Sequence, residues 1–181
     1  SLVERLEERV KRIIDELRRI LEENRRRVKK VSDENRDLLR RLEEENKKII
    51  EDLRDLKRKG RDRKEVKRLV DRVRKTNERV LETVDRTATR LREKSKESLE
   101  RLRKTVREVV EEIRDVMRKV DDEKAKDKLR RLEEEIRKVA KEVEDELRRS
   151  TEYVKKSLED AKRKLEELTK RTEDVAEEVE R

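Results

Sequence analysis

The chain has 181 residues, 60% of them charged, with 59 Lys and Arg against 50 Asp and Glu, one Gly, and no Pro, Cys, His, Trp or Phe. Without Cys or His there is no disulfide framework, thiol nucleophile, zinc finger or imidazole base, so the sequence predicts no catalytic residue, no metal and no cofactor. No apolar run approaches the roughly 18 residues that span a bilayer. The opening Ser-Leu-Val-Glu-Arg-Leu-Glu-Glu is charged where a secretory signal would be apolar. The expectation is a soluble protein, cytoplasmic in an expression host.

So many charges raise the question of disorder, but an excess of +9 is small over this length, so the signs are mixed and periodicity has to decide. Along the first third, apolar or small polar residues fall at Val10, Ile13, Ile14, Leu17, Ile20, Leu21 and Asn24. They recur at Val28, Val31, Ser32, Asn35, Leu38, Leu39 and Leu42, and again at Asn46, Ile49, Ile50, Leu53 and Leu56. Each round lies 18 residues after the last, and 18 residues at 3.6 per turn make five turns. The stripe is roughly 120° wide, that of a helix with one buried face. This predicts a first helix over about 2–59.

The second helix, over about 62–120, shows the same arithmetic. Val66, Leu69, Val70, Val73, Asn77, Val80 and Leu81 recur as Val84, Thr87, Ala88, Leu91, Ser95, Ser98 and Leu99, then as Leu102 through Met117. The third, over about 123–180, repeats Ala125, Leu129, Leu132, Ile136, Val139 and Ala140 as Val143 through Leu158 and as Ala161 through Ala176. A heptad would impose a left-handed supercoil, whereas an 18-residue period keeps the stripe straight on an ordinary helix, so the helices are expected to be nearly untwisted.

The stripe loses phase at two places. A rotational jump of about 200° precedes Val66, with Gly60 placed as a C-cap and Asp62 with Glu65 spaced as a capping box. A jump of roughly 140° separates Val120 from Ala125, with Asp121 or Asp122 as N-cap. Ser1 and Glu4 cap the first helix in the same way. The cap-like stretches at 31–35 and 149–152 keep the stripe's phase and are read as polar residues inside continuous helices. Short joints force an up-down-up arrangement. The fold class predicted is all-α: one domain over 1–181, an antiparallel three-helix bundle with helices about 85 Å long at 1.5 Å per residue.

The informative residues are the polar ones inside the stripes. If antiparallel neighbours meet across the joints, Asn46 falls level with Thr76 and Asn77 and with Thr169 and Thr172. Ser32 and Asn35 fall level with Thr83, Thr87 and Ser157. Asn24 falls level with Ser95 and Ser98 and with Ser150 and Thr151. An unpaired buried amide or hydroxyl costs about 1–3 kcal/mol, so such residues must bond to one another or to the backbone. A layer that is fully paired in one register alone penalises the others. A small-molecule or metal pocket is the competing reading; the layers contain no carboxylate, imidazole or thiol, and no glycine opens space.

The other signals are weaker. Lys57, Arg58, Lys59, Arg61, Arg63, Lys64, Lys67 and Arg68 cluster at the first joint, but Tyr153 is the one residue able to stack on a base and Asp55, Asp62 and Glu65 interrupt the cluster. The acidic end of the third helix lies beside it. Weak, salt-sensitive polyanion binding is the most this supports, and no specific nucleic acid is expected. No exposed face carries the anchors of a membrane-surface helix. Tyr153 lies just outside its stripe and is read as a rim residue.

The strict period, the Ala/Leu/Val/Ile stripes flanked by Glu, Lys and Arg, and the levelled Asn, Ser and Thr residues resemble computationally designed, parametrically generated helical bundles with buried hydrogen-bond networks. The resemblance covers the whole chain. It implies an idealised, hyperstable fold with no evolved substrate: a structural scaffold that needs no partner. A monomer is expected, with a homo-oligomer as the alternative state. The alternative function is a switchable interaction module in which the helix over 124–181, rich in Ala, is displaced by a partner.

Overall fold

The computed structural model describes residues 1–60 and 62–181. Three α-helices follow one another: α1 (Leu2–Lys59), α2 (Arg63–Lys119) and α3 (Glu123–Glu180). The stretches at 31–35 and 149–152 are helical throughout. Their hydroxyl and amide residues sit where the apolar stripe is already in phase, so tertiary burial overrides the local cap signal.

The helix ends follow from local chemistry. Ser1 Oγ accepts from the Glu4 amide at 3.3 Å. At the end of α1 the Gly60 amide donates to the Leu56 carbonyl at 3.1 Å, and Gly60 has φ of 132°, a conformation that side chains rarely adopt. Asp62 caps α2 through its side chain, Lys64 N to Asp62 Oδ1 at 3.0 Å. Glu65, expected to complete a capping box, instead accepts from the Arg68 guanidinium at 3.0 and 3.2 Å. A guanidinium three residues on offers a charge-assisted partner to the same carboxylate. At the second joint the N-cap is Asp122, whose Oδ1 accepts from Lys124 N at 3.1 Å.

The helices pack in two compact units, Ser1–Val28 with Leu91–Tyr153 and Lys29–Arg90 with Val154–Arg181. In unit 1, the first of these, Leu6, Val10, Ile13, Ile14 and Leu17 of α1 close on Leu102, Val109, Ile113 and Val116 of α2 and on Leu129, Ile136, Val143 and Leu147 of α3. Its cross-helix ion pairs fix the directions. Arg9 pairs with Glu112 and Asn24 bonds to Ser95, while Arg114 meets Glu133 and Arg103 meets Glu144, so that position rises on one helix as it falls on the other; Lys128 pairs with Glu7. Thus α2 runs against both neighbours within the unit. In unit 2, Ile49, Ile50 and Leu53 pack on Val66, Leu69 and Val73 and on Val175, Ala176 and Val179.

The stripe is not equally buried along its length. Between Asn24 and Leu42 no residue of α1 is fully buried; Val28, Val31, Ser32, Asn35, Leu38 and Leu39 are all half-buried.

Candidate functional site: two buried amide and hydroxyl networks

Among the described residues five polar ones are fully buried: Asn24, Asn46, Asn77, Ser95 and Thr172. Each lies on the apolar stripe of its helix, one or more turns from core residues, which is why the fold carries it inward. Four of the five belong to two networks, one in each unit.

In unit 1, Asn24 is 2% exposed and Ser95 is 4% exposed. The Ser95 hydroxyl donates to Asn24 Oδ1 at 3.1 Å, and Asn24 Nδ2 donates to Ser150 Oγ at 2.8 Å. The Ser150 hydroxyl in turn donates to the Glu146 carbonyl at 2.9 Å. The chain of donors therefore crosses all three helices and ends on an α3 backbone carbonyl. One residue from Asn24, Arg25 grips the carboxylate of Glu146 with two bonds of 2.6 and 3.1 Å. That bond, and then the charge it carries, raises the Arg25 pKa above the ordinary guanidinium range. Thr151 donates to the Leu147 carbonyl, and Ser98 is half-buried.

In unit 2, Asn77 Nδ2 donates to Thr169 Oγ1 at 2.7 Å, and Thr169 donates to the Leu165 carbonyl at 2.9 Å. Asn46 Nδ2 reaches Asn77 Oδ1 at 3.4 Å, longer than the usual N–H···O range and correspondingly weak. Thr172, fully buried, bonds to the Leu168 carbonyl of its own helix at 3.1 Å. Thr76 is half-buried. Ion pairs flank this network too, with Arg74 on Glu173 at 2.9 Å and Arg72 on Glu45 at 3.5 Å.

The middle group differs from the expectation. Thr83 is exposed rather than part of a buried layer, and its hydroxyl donates to the Arg79 carbonyl at 3.0 Å. Thr87 likewise donates to the Thr83 carbonyl at 2.8 Å. A helical Thr always has its i−4 carbonyl within reach, and that local partner competes with any partner on another helix. Asn35 and Ser157 are half-buried, and among the described residues no hydrogen bond joins Asn35 to Thr87 or Ser157. Ser32 is half-buried.

The remaining candidates are on the surface. Tyr153 is 49% exposed, consistent with a rim position. Lys57, Arg58, Lys59, Arg63, Lys64, Lys67 and Arg68 are exposed, with Arg58 paired to Asp55 and Arg68 to Glu65; Arg61 lies outside the described residues. The shifted titrating groups also belong to surface ion pairs. The Arg68 hydrogen bond lowers the Glu65 carboxyl, the Glu7 hydrogen bond raises the Lys128 ammonium, and the Arg103 hydrogen bond lowers the Glu144 carboxyl. Among the described residues no group of three or more His, Cys, Asp or Glu could hold a metal ion, and no helix is long and apolar enough to cross a membrane.

Three amphipathic helices around apolar cores interrupted by hydrogen-bonded polar residues define a helical bundle. No family model and no curated protein matches the sequence. A solved structure described as a computationally designed three helix bundle matches with a TM-score of 0.54 and 20% identity, covering 98% of this chain and 82% of that one. The fold is a three-helix bundle.

Proposed function

We propose that the chain is a designed structural scaffold, a single helical bundle domain with no natural biochemical activity, whose buried Asn, Ser and Thr residues specify how its helices pair. The observation that carries the reading is the Ser95 to Asn24 to Ser150 chain of bonds, in which each helix contributes one member. A shift of α1 by one turn moves Asn24 by about 5.4 Å, away from both Ser95 and Ser150, and strands two buried polar residues, Asn24 and Ser95, while Ser150 keeps its bond to the Glu146 carbonyl. An apolar core has no such penalty, because one Leu replaces another at similar cost. The matching structure, itself a computationally designed three helix bundle, and the 18-residue period support a designed origin.

In this reading α3 is a permanent member of the bundle. It supplies Leu129, Ile136, Val143 and Leu147 to one core and Val175, Ala176 and Val179 to the other. Tethered through a short joint, it acts at an effective concentration on the order of millimolar or more. A labelled peptide copying 124–181 is mixed with the full-length protein to test this. The scaffold reading expects no exchange over days; micromolar exchange would establish the displaceable helix instead.

A further inference from the structure

Among the described residues, four of the surface grooves differ in what lines them. The groove over Asn77 and Thr169 balances Arg74, Lys162 and Lys170 against Glu78, Glu166 and Glu173. The groove between α1 and α2 in unit 2 has no apolar side chain in its lining. The groove over Ser95 has two hydroxyls in its floor, from Ser95 and Thr151. The fourth, between α2 and α3 in unit 1, has a volume of about 580 Å³ and a floor of Leu102, Val106, Val110 and Ala140. Ala140 ends at Cβ, so nothing from that position covers Val106, which stays half-buried while Val109 and Val110 on the same helix are buried.

The walls of this groove are cationic. Arg103 is taken by Glu144 at 2.8 Å, and Arg114 and Arg137 share Glu133 at 3.1 and 3.3 Å. Arg107 and Lys141 are exposed and form no ion pair with any described residue, and Glu111 is the remaining carboxylate on the wall. The bridges at 103 to 144 and 114 to 133 place position 107 level with 140 and position 106 level with 141, so both unpaired cations lie at the height of the half-buried Val106. From Arg107 to Arg114 the wall of the groove extends about 10 Å along α2 at 1.5 Å per residue, room for a medium-length alkyl chain.

We propose that this groove binds a single-chain amphipathic organic anion, a medium-chain alkyl carboxylate, with its chain on Val106, Val110 and Ala140 and its carboxylate between Arg107 and Lys141. The chain covers Val106, which the bundle leaves half-buried above the buried Val110 and Ala140, and the head group supplies the counter-charge that neither cation has. Few polar groups convergent on an apolar floor are the usual anatomy of a small-molecule site.

Titration of the ¹⁵N-labelled full chain with decanoate tests the proposal, with decanol and butyrate as ligands lacking the charge and the chain. Saturable amide shifts confined to 102–114 and 137–144 are expected, with decanol and butyrate each weaker by about tenfold or more. The double variant Arg107→Glu/Lys141→Glu, altered at exposed positions, should weaken decanoate by about tenfold or more with helicity and Tm unchanged. Ala140→Leu should do the same by filling the floor; because Ala140 is nearly buried, its melting curve is recorded alongside. Unsaturable shifts spread along all three helices, shifts centred on 92–99 and 147–152, or undiminished affinity in the charge-reversed variant would each overturn the proposal.

Discussion

Asn24→Ala removes the acceptor of one cross-helix bond and the donor of another, 3.1 Å from Ser95 and 2.8 Å to Ser150. Each neutral hydrogen bond contributes about 0.5–1.5 kcal/mol net, and a stranded buried group costs about 1–3 kcal/mol. The two partners fare differently. Ser150 keeps its bond to the Glu146 carbonyl, whereas the Ser95 hydroxyl, on a residue 4% exposed, is left to find a carbonyl on its own helix. The expected loss is therefore about 2–4 kcal/mol, larger if the vacated volume stays empty. Ser95→Ala and Ser150→Ala alone should each cost about 1–2 kcal/mol. The combination Asn24→Leu/Ser95→Ala/Ser150→Ala strands nothing and should be neutral or stabilising. Guanidinium unfolding gives each value from the midpoint and slope. Independent residues add and members of one network do not, so a triple variant as unstable as its three single changes together would refute the reasoning, as would a loss below about 0.5 kcal/mol for Asn24→Ala.

Asn35→Ala, at a half-buried position with no bond to Thr87 or Ser157, should cost under about 1 kcal/mol in the same assay, well below Asn24→Ala. Thr172→Val should change stability by no more than about 1 kcal/mol, since among the described residues the Thr172 hydroxyl bonds the Leu168 carbonyl of its own helix and no other helix, and Val is of similar size. Gly60→Ala meets no atom within 4 Å, so its cost is the backbone strain at φ of 132°, about 1–3 kcal/mol by thermal melting. The Glu144 carboxyl is held below its ordinary value of 4.5, first by the Arg103 hydrogen bond. A carboxylate with a lowered folded pKa contributes stability that is full above its unfolded value and lost as pH falls through the folded one. Unfolding midpoints below about pH 4.5 should therefore fall less steeply in Glu144→Gln than in the parent.

The helices and joints were legible because both depend on spacing alone. Unbroken stripes place α1 at Leu2–Lys59 and α3 at Glu123–Glu180 despite the cap-like regions at Ser32 in the first and Ser150 in the second, and the phase jumps locate both turns, the second of which has no Gly or Pro to mark it. The heights of Asn24, Ser95 and Ser150 follow from the same arithmetic. What stripe spacing does not contain is the choice each hydroxyl makes. Ser95 reaches across to another helix, whereas Thr83, Thr87 and Thr172 return to the carbonyl four residues back. That choice depends on rotamer and on how close the neighbouring helix comes, which neither composition nor period records. The half-burial of α1 from Val28 to Leu39 was equally hidden, since Val31, Leu38 and Leu39 continue the stripe without a break. The groove at Ala140 was hidden as well, because it depends on which side chain on α2 faces a small residue on α3.

The side-chain amide protons of Asn24, Asn77 and Asn35 give the most direct test of the account. In one ¹⁵N exchange experiment on the unmodified chain, Asn24 and Asn77 should show slowly exchanging side-chain NH₂ groups. Each should also show a cross-helix NOE, from Asn24 to Ser150 and from Asn77 to Thr169. Asn35, half-buried, should exchange with solvent much faster. Equal, fast exchange at all of these positions, or NOEs from Asn24 to residues a turn away from Ser150, would contradict the claim that buried networks fix the pairing of the helices.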